Sequence, residues 1–326
     1  MSRKIDMCLK LIVFSLLTIL PAAAASEHRS GHPHGQYVEL LGKKIWYETR
    51  GKGEPLILIP GGVGGSHDYY HPYFSSLEQS FRVIYYDGFG RGNSERAKSP
   101  SEYTFEHDLD EIEALRRALH LGKVMIYGHS YGGFVAQGYA LKYPKSVSKL
   151  VVSNIFTCAE DYQASDDFLY EQTRQFFPEV ADKVAELRSR GLLANAPELQ
   201  QASSAFFLPI LELQFFRDPR NAQLIAPLFN EHNFNAEEYY ALVGADADFK
   251  IGGDIGKLDF REQLSSIKVP FLVIAGRRDG VVLPRLSMQF KKYAPQAKFV
   301  MFENSGHYPF IEETLQFIKT MTDFLQ

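Results

Sequence analysis

Apolar runs of strand length recur along the chain from residue 36, separated by amphipathic segments of helical length. The run 56–59 is entirely apolar, which indicates a strand buried on both faces. An apolar stripe from Thr104, which can cap a helix, to Leu119 indicates a helix. The other strand-like runs span 37–41, 44–49, 82–86, 124–127, 147–153, 271–275 and 298–302. Strands alternating with helices predict an α/β fold with a mainly parallel sheet, and the first two runs form an antiparallel hairpin.

The alternation stops between residues 157 and 260, where aromatic-rich helical stretches at 168–177, 180–193 and 205–216 replace the strands. It resumes with the strand 271–275, a helix at 286–293, the strand 298–302 and a terminal helix from residue 314. The sequence therefore predicts a core in two parts, 36–156 and 261–326, with a helical lid at 157–260. Four lid aromatics either line a substrate pocket or form the core of the lid itself: Phe206, Phe207, Phe215 and Phe216.

The stretch Gly128-His129-Ser130-Tyr131-Gly132 follows the strand 124–127 and precedes a helical segment that continues to about residue 142. Gly-x-Ser-x-Gly between a strand and a helix is typical of a nucleophile elbow, in which the serine adopts strained backbone angles. Side chains at the two glycine positions would collide with neighbouring backbone as the chain reverses. The pattern predicts Ser130 as a nucleophile at a helix N-terminus, and His129 packs beneath the turn.

A serine nucleophile of this kind needs a histidine base from farther along the chain. Two histidines follow Ser130, and His232 falls within the expected lid. His307 lies directly after the final strand, where the carboxyl edge of a parallel sheet would bring it to Ser130. His307 is therefore the predicted base.

The acid that orients the base is expected between the serine and the histidine in the chain. Asp279 follows the strand 271–275 and precedes a turn, whereas Asp254 and Asp259 come before that strand. Asp279 is the predicted acid, because it can hold one tautomer of the imidazole and stabilise the imidazolium.

The glycine-rich loop 60–66 follows the apolar strand 56–59. In a fold of this kind, one oxyanion donor is the backbone N–H after the nucleophile, here Tyr131. The loop supplies the second donor, for which Gly62 is the best candidate because glycine lets the main chain approach a substrate.

The first 25 residues have the features of a signal peptide: basic residues, an apolar stretch at 11–20 and small residues ending at Ala25. Residues 26–35 then form a linker. The expected location is exported, either periplasmic or secreted, with no membrane span after cleavage. Cleavage would leave Cys158 as the remaining thiol.

The composition is that of a soluble globular enzyme, with 45% hydrophobic and 23% charged residues. A net charge of −4 argues against a nucleic-acid partner. No zinc-protease, paired-cysteine or nucleotide-binding motif is present, so neither a metal nor another cofactor is expected. The expected partner is a small molecule or a short peptide.

Several of these motifs together resemble those of the proline iminopeptidases (prolyl aminopeptidases), over the chain from about residue 35. The matching positions are Gly61, Gly62, Gly64, Ser66-His67-Asp68-Tyr69, Asp87, Gly90, Gly92, Ser94, Gly128–Gly133 and 249–255. The resemblance implies an α/β-hydrolase fold, with a mainly parallel sheet, helices on both faces and a helical lid inserted late in the sheet. It also implies Ser130 as nucleophile, Asp279 as acid and His307 as base.

The chain departs from the family pattern at Pro60, Val63 and Gly88, where the family usually has histidine, proline and glutamine. Family aminopeptidases also hold the free α-amine of the substrate with lid carboxylates. By this resemblance, the candidates here are three acidic residues of the expected lid: Glu212, Asp246 and Asp248.

Three classes of function fit the sequence. The first is an exported aminopeptidase of the proline iminopeptidase type. The second is a carboxylesterase or lactonase for an apolar or macrocyclic ester, which an aromatic lid would suit. Both would proceed through an acyl-enzyme on Ser130. The third, a non-catalytic binding protein on a hydrolase fold, is disfavoured because every catalytic part is present.

Overall fold

The computed structural model describes residues 35–326, apart from residues 72 and 205–206 and the side chains of 207 and 208. The predicted signal peptide and nearly all of the predicted linker therefore lie outside the described residues. The described strands are β1 (Gln36–Leu40), β2 (Lys43–Arg50), β3 (Pro55–Ile59), β4 (Arg82–Asp87), β5 (Val124–His129), β6 (Val147–Ser153), β7 (Phe271–Gly276) and β8 (Lys298–Phe302).

Helices connect the strands from β4 onward, and short 3₁₀ turns occur in several loops. The described helices are α1 (Phe105–Ala118), α2 (Tyr131–Lys142), α3 (Ala159–Phe176), α4 (Pro178–Ser189), α5 (Pro197–Ser204), α6 (Phe207–Gln214), α7 (Ala222–Ile225), α8 (Ala236–Val243), α9 (Pro284–Ser287), α10 (Phe290–Tyr293), α11 (Pro309–Glu312) and α12 (Thr314–Leu325). Thr104 caps α1 as expected, since its Oγ1 accepts a hydrogen bond from the His107 N–H at 3.1 Å.

The described strands form one sheet in the order β1-β2-β4-β3-β5-β6-β7-β8. The pairs β1–β2 and β2–β4 are antiparallel, and every pair from β4 to β8 is parallel. From β3 the chain moves to β4 on one side and then returns to β5 on the other. Such a switch point opens a crevice at the carboxyl ends of the two strands, and ligands of open α/β sheets bind there.

The apolar strands are buried on both faces of the sheet, as the run 56–59 predicted. Ile57 and Ile59 of β3 pack into the core that contains α1 and α2, whereas Leu56 and Leu58 pack into the core beneath α12. Successive side chains of a strand point to opposite faces, so a central strand needs an apolar residue at every position. All of β5 and β7 is likewise buried.

Every predicted strand is present to within about two residues at either end. The helix expected at 286–293 is instead two short helices, α9 and α10, because Met288 and Gln289 interrupt it. The segment 154–270 between β6 and β7, called the insertion below, contains α3 to α8 and isolated bridges but no strand among its described residues. None of the described helices is long and apolar enough to cross a bilayer.

A buried ion pair ties the insertion to the core. Arg91, in the loop after β4, donates to Asp108 of α1 at 2.7 Å and to Glu238 of α8 at 2.8 Å. All three side chains are buried. The Tyr131 hydroxyl also donates to Asp108, at 2.5 Å. The first residue of α2 and the insertion therefore share one polar network.

Candidate active site

Ser130 occupies the turn between β5 and α2 with φ 51° and ψ −126°, a strained conformation for a residue that has a side chain. The two flanking glycines, Gly128 and Gly132, are required because a side chain at either position would collide with backbone atoms. A Cβ at Gly128 would lie 2.1 Å from the Gly132 carbonyl oxygen, and one at Gly132 would lie 2.2 Å from that of Ile59. Ser130 is partly exposed and lines a cavity at the carboxyl edge of the sheet. This is the geometry expected for a nucleophile elbow.

The loops after β7 and β8 bring Asp279 and His307 together. The Nδ1 atom of His307 lies 3.0 Å from Oδ2 of Asp279, and both side chains are buried. The Asp279 Oδ1 atom accepts from the N–H groups of Val281 and Val282 at 2.9 and 2.8 Å. Those donors hold the carboxylate so that its other oxygen faces the imidazole. His307 lines the same cavity as Ser130.

Asn154, directly after β6, is a second partner of Asp279 that the sequence analysis missed. Its Nδ2 donates to Asp279 Oδ2 at 2.8 Å and to the Gly306 carbonyl at 3.1 Å, while Ser153 Oγ donates to its Oδ1 at 2.7 Å. Asn154 is fully buried and has a positive φ of 53°, which asparagine tolerates better than most residues. The signal that could have identified Asn154 is its position, since it is a polar residue directly after an apolar strand.

The loop after β3 carries one proposed oxyanion donor, Gly62, and the start of α2 carries the other, Tyr131. A Cβ at Gly61 would lie 2.8 Å from both the Ser130 Cβ and the His129 carbonyl oxygen, so glycine is needed for this approach. Gly62 has φ 71° and lines the cavity together with Tyr131. Among the described residues, neither the Gly62 N–H nor the Tyr131 N–H has a hydrogen-bond partner, so both are available to a ligand.

The insertion holds this loop in place. The Asn235 N–H donates to the Gly64 carbonyl at 2.9 Å, and the Ser66 N–H donates to the Asn233 carbonyl at 2.9 Å. The carboxylate of Asp87, at the end of β4, accepts hydrogen bonds from the N–H groups of His67 and Asn93, both at 2.9 Å. The resemblance motifs around residues 66 and 87 therefore have a structural role in fixing the loops at the sheet edge.

The cavity around Ser130 has a volume of about 190 Å³. Its walls are mostly apolar and come from the core and the insertion together. Among its lining residues are Phe134, Ile155, Tyr162, Phe215, Phe234 and Val282. The site therefore offers a reacting carbonyl an apolar chamber with polar groups concentrated at Ser130, His307 and the glycine loop.

A second cavity, of about 450 Å³, adjoins the first inside the insertion. Four residues line both cavities, namely Tyr162, Phe215, Tyr239 and Val281. The carboxylates of Asp166 and Asp248 line the second cavity. The sequence did not identify Asp166 as a candidate binding residue. It shares one face of α3 with Tyr162, Leu169, Tyr170 and Thr173, a helical spacing that marks a common surface.

The two carboxylates share an environment that opposes their ionisation. Loss of bulk water raises the pKa of Asp166 well above its ordinary value, and the nearby charges of Asp248 and Asp167 raise it further. Partial loss of bulk water also raises the pKa of Asp248, although this residue keeps an exposed surface and the Tyr239 hydroxyl partly offsets the shift with a hydrogen bond of 3.1 Å. A cation in this cavity would favour the ionised forms.

The other predicted substrate-binding residues divide into those that line a cavity and those that do not. Of the acids, Asp248 lines a cavity, but Glu212 does not line either cavity, and Asp246 is ion-paired with Arg188 at 2.6 Å. Phe215 lines both cavities, whereas Phe216 is buried against Tyr308 with ring centroids 5.1 Å apart. Two predictions cannot be placed, since Phe206 and the side chain of Phe207 lie outside the described residues.

Asp254 and Asp259, the weaker candidates for the acid that orients His307, each have another partner. Asp259 binds Arg261 at 2.6 Å and Asp254 binds Lys257 at 2.9 Å. Within the described part of the chain, no group of three or more histidine, cysteine or acidic side chains is arranged to hold a metal ion.

Comparison with known proteins identifies the family. A proline iminopeptidase from Saccharolobus solfataricus is 29% identical over 299 residues, covering 89% of this chain and 91% of that protein. The crystal structure of VinJ is similar with a TM-score of 0.73 and 25% identity, and that of the proline iminopeptidase from Mycobacterium smegmatis with 0.70 and 22%. Each likeness covers 89% of this chain and 97% of the other. Because residues 54–314 match the sequence model described as alpha/beta hydrolase fold, the chain belongs to the α/β-hydrolase family.

Proposed function

We propose that the protein is a serine hydrolase in which Ser130 is the nucleophile, His307 the base and Asp279 the acid. The observation that supports these roles is the 3.0 Å contact between Asp279 and His307, because His307 lines the same cavity as Ser130. The three residues follow three different strands, and their order in the chain is the one typical of the family.

The proposed reaction proceeds through an acyl-enzyme. Ser130 Oγ forms a bond to the substrate carbonyl carbon while His307 Nε2 takes the hydroxyl proton. The N–H groups of Gly62 and Tyr131 bind the oxyanion, and each such donor typically lowers the barrier by about 3 kcal/mol. His307 then gives its proton to the leaving amine or alcohol as the carbonyl–heteroatom bond breaks. Water, deprotonated by His307, releases the acid and restores Ser130.

For the substrate, we propose an acyl group that bears an amine, as in an aminopeptidase of the proline iminopeptidase type. The observation that carries this proposal is the pair of carboxylates, Asp166 and Asp248, in the cavity that adjoins the chamber of Ser130. Removing the bulk water around an ammonium is unfavourable unless a carboxylate lies close by. The similarity to proline iminopeptidases supports the same substrate class.

A carboxylesterase or lactonase is the second candidate. It is favoured by the apolar lining of the chamber around Ser130, where both acids are missing from the lining residues. A neutral ester with an apolar acyl group would fill that chamber and leave the second cavity without a charged partner.

One comparison of substrates tests the proposal. The purified protein should hydrolyse prolyl and other aminoacyl anilides, and Asp248→Asn should reduce that activity at least about tenfold while changing the hydrolysis of neutral nitrophenyl esters little. The ratio of the two activities is informative because it cancels any general loss of folded enzyme. Hydrolysis of neutral esters alone would instead favour the second candidate.

We also propose that the protein is exported and cleaved after Ala25, on the basis of the charged, apolar and small-residue segments at the N-terminus. Mass spectrometry of the exported protein should find Ser26, or a residue close to it, at the N-terminus. Retention of residues 1–25 would contradict this proposal.

A further inference from the structure

The backbone of the insertion contacts both of the loops that carry Asp279 and His307. The N–H of Gly280, the residue after Asp279, donates to the Gln214 carbonyl at 2.9 Å. The His307 N–H itself donates to the Phe215 carbonyl at 2.7 Å. Two consecutive carbonyl groups of the insertion therefore hold the backbone beside the proposed acid and the backbone of the proposed base.

The loop of His307 is shaped for this close approach. A Cβ at Gly306, the residue before His307, would lie 2.5 Å from the Phe215 carbonyl oxygen, so a side chain there would push the insertion away. The Phe215 ring lines both cavities, and its centroid lies 5.5 Å from that of the His307 ring. The residue of the insertion that binds the base through its backbone therefore also forms the wall that faces a substrate.

Glu312, the last residue of α11, makes a second connection between this loop and the insertion. Its Oε2 atom accepts from the Gly306 N–H at 2.6 Å and from the Arg217 N–H at 3.2 Å. Its Oε1 atom accepts from the Asp218 N–H at 2.9 Å and from Asn221 Nδ2 at 3.3 Å. The carboxylate is therefore bonded to the core through Gly306 and to the insertion through the other three residues.

An ionised carboxylate suits this position because both of its oxygens only accept hydrogen bonds. An amide has a single accepting oxygen, and its nitrogen would face N–H groups from which it cannot accept. Hydrogen bonds to an ionised oxygen are also roughly twice as strong as those between neutral groups. Replacing Glu312 by glutamine should therefore release either the Gly306 N–H or the Asp218 N–H.

We infer that Glu312 is a positioning residue, through which the insertion sets the place of His307 for proton transfer. Glu312 is absent from the residues that line the two cavities, so it acts on the loop of the base and not on the substrate. Small displacements matter for such a step, since a misplacement of about 1 Å can lower a rate about a hundredfold. This inference rests on the proposed hydrolase function and adds a residue to its mechanism.

Steady-state kinetics of Glu312→Gln test the inference with the best anilide or ester substrate of the wild type. The value of kcat, normalised to the number of sites that a fluorophosphonate labels at completion, should fall about tenfold, while KM changes less than about twofold. Glu313→Gln is the matched control. Glu313 accepts from the Asn304 N–H at 3.0 Å and from Ser305 Oγ at 2.6 Å, so it supports the same loop from within the core. The control should keep most of the normalised kcat.

Equal losses of normalised kcat in the two variants, or an unchanged kcat in Glu312→Gln, would overturn the inference and leave the hydrolase function standing. A wild-type protein that neither reacts with the fluorophosphonate nor hydrolyses any of the substrates would instead reject the hydrolase function, and the inference with it. The two failures are therefore distinguishable.

Amide hydrogen exchange is a second test that needs no substrate. In Glu312→Gln, the peptides that contain Gly306 and Asp218 should exchange at least about tenfold faster than in the wild type, while those of β5 keep their protection. In Glu313→Gln, the peptide of Asp218 should keep its protection as well. Faster exchange in every peptide of Glu312→Gln would show general destabilisation, and unchanged exchange at Asp218 would show that Glu312 does not hold the insertion. Either result would overturn the inference.

Discussion

The Nε2 atom of His129 lies 2.8 Å from the backbone carbonyl oxygen of His307, so the residue before the proposed nucleophile donates a hydrogen bond to the backbone of the proposed base. The Nδ1 atom of His129 is then an acceptor and faces the Tyr69 hydroxyl at 3.2 Å. Tyr69 in turn accepts from the Gly61 N–H. Burial and the nearby His307 lower the pKa of His129 well below its ordinary value. A neutral His129 therefore links the glycine loop to the loop that carries His307.

Tyr69→Phe should separate this linking role from substrate binding. The substitution leaves the Gly61 N–H and the His129 Nδ1 without their partner, so both catalytic loops should be less well positioned. We expect kcat to fall about tenfold with little change in KM. Steady-state kinetics would be compared with those of Tyr37→Phe, a change at an exposed tyrosine far from the site in sequence. An unchanged kcat would mean that the link is not needed for catalysis.

The three proposed catalytic residues can be tested by covalent labelling. A fluorophosphonate should react once, at Ser130, because only an activated serine attacks phosphorus readily. Ser130→Ala and His307→Ala should abolish labelling, and Asp279→Asn should slow it by orders of magnitude. Asp254→Asn is the control, since Asp254 binds Lys257. An inactive Asp254→Asn beside a near-normal Asp279→Asn would reassign the acid.

Asn154 is a positioning residue, because it contacts Asp279 and does not line the chamber of Ser130. Asn154→Gly removes the amide while allowing the positive φ, so it should lower kcat about tenfold and shift the pH profile of kcat with a modest loss of stability. Asn154→Ala adds backbone strain and should also lower the melting temperature. Measuring both variants distinguishes the two effects. A wild-type pH profile in the glycine variant would limit Asn154 to a purely structural role.

The raised pKa of Asp166 leads us to expect that the free energy of unfolding depends on pH. The folded protein holds the carboxyl proton above pH 3.8, where the unfolded chain loses it, so the free energy of unfolding falls as pH rises from 3.8 through the folded pKa. Asp166→Asn removes this loss, and the variant should be more stable than the wild type at neutral pH, with a difference that shrinks toward pH 3.8. The charged and titratable groups around the two cavity acids are Asp167, Arg188, Tyr162, Tyr239, Tyr240 and Asp246.

Thermal unfolding of Asp166→Asn and Asp167→Asn across pH would check this expectation. A neutral-pH loss of stability in Asp166→Asn would show that the carboxylate has a stabilising partner.

The buried pair between Arg91 and the insertion should be important for stability. Arg91→Met leaves Asp108 and Glu238 buried without a cation, which typically costs about 3–5 kcal/mol. Arg220→Met is a control, because Arg220 and its partner Asp218 lie on the surface. Denaturant unfolding should show a large decrease in the free energy of unfolding for the first variant alone. Equal effects would mean that the buried pair is no more stabilising than a surface pair.

The sheet and the proposed catalytic residues are predictable from the sequence, because both depend on local signals. The apolar run 124–127 predicts the strand β5, and the glycines beside Ser130 indicate a tight turn at its end. Asp279 and His307 each directly follow an apolar strand, and parallel strands deliver the residues at their carboxyl ends to one edge of the sheet. Chain order and strand polarity were therefore sufficient to bring these three residues together.

The residues of the insertion that face the site could not be predicted in this way, because they depend on tertiary packing. Asp166, Glu212 and Asp246 are all acids on or beside helices, and nothing local distinguishes them. Their roles depend on how α3 to α8 pack on the sheet and on one another. Arg188 lies 58 residues before Asp246 and engages it, whereas Asp166 faces a cavity without a partner. Such long-range packing leaves no periodic trace in the sequence, because it is fixed by the fit between surfaces that come from distant parts of the chain.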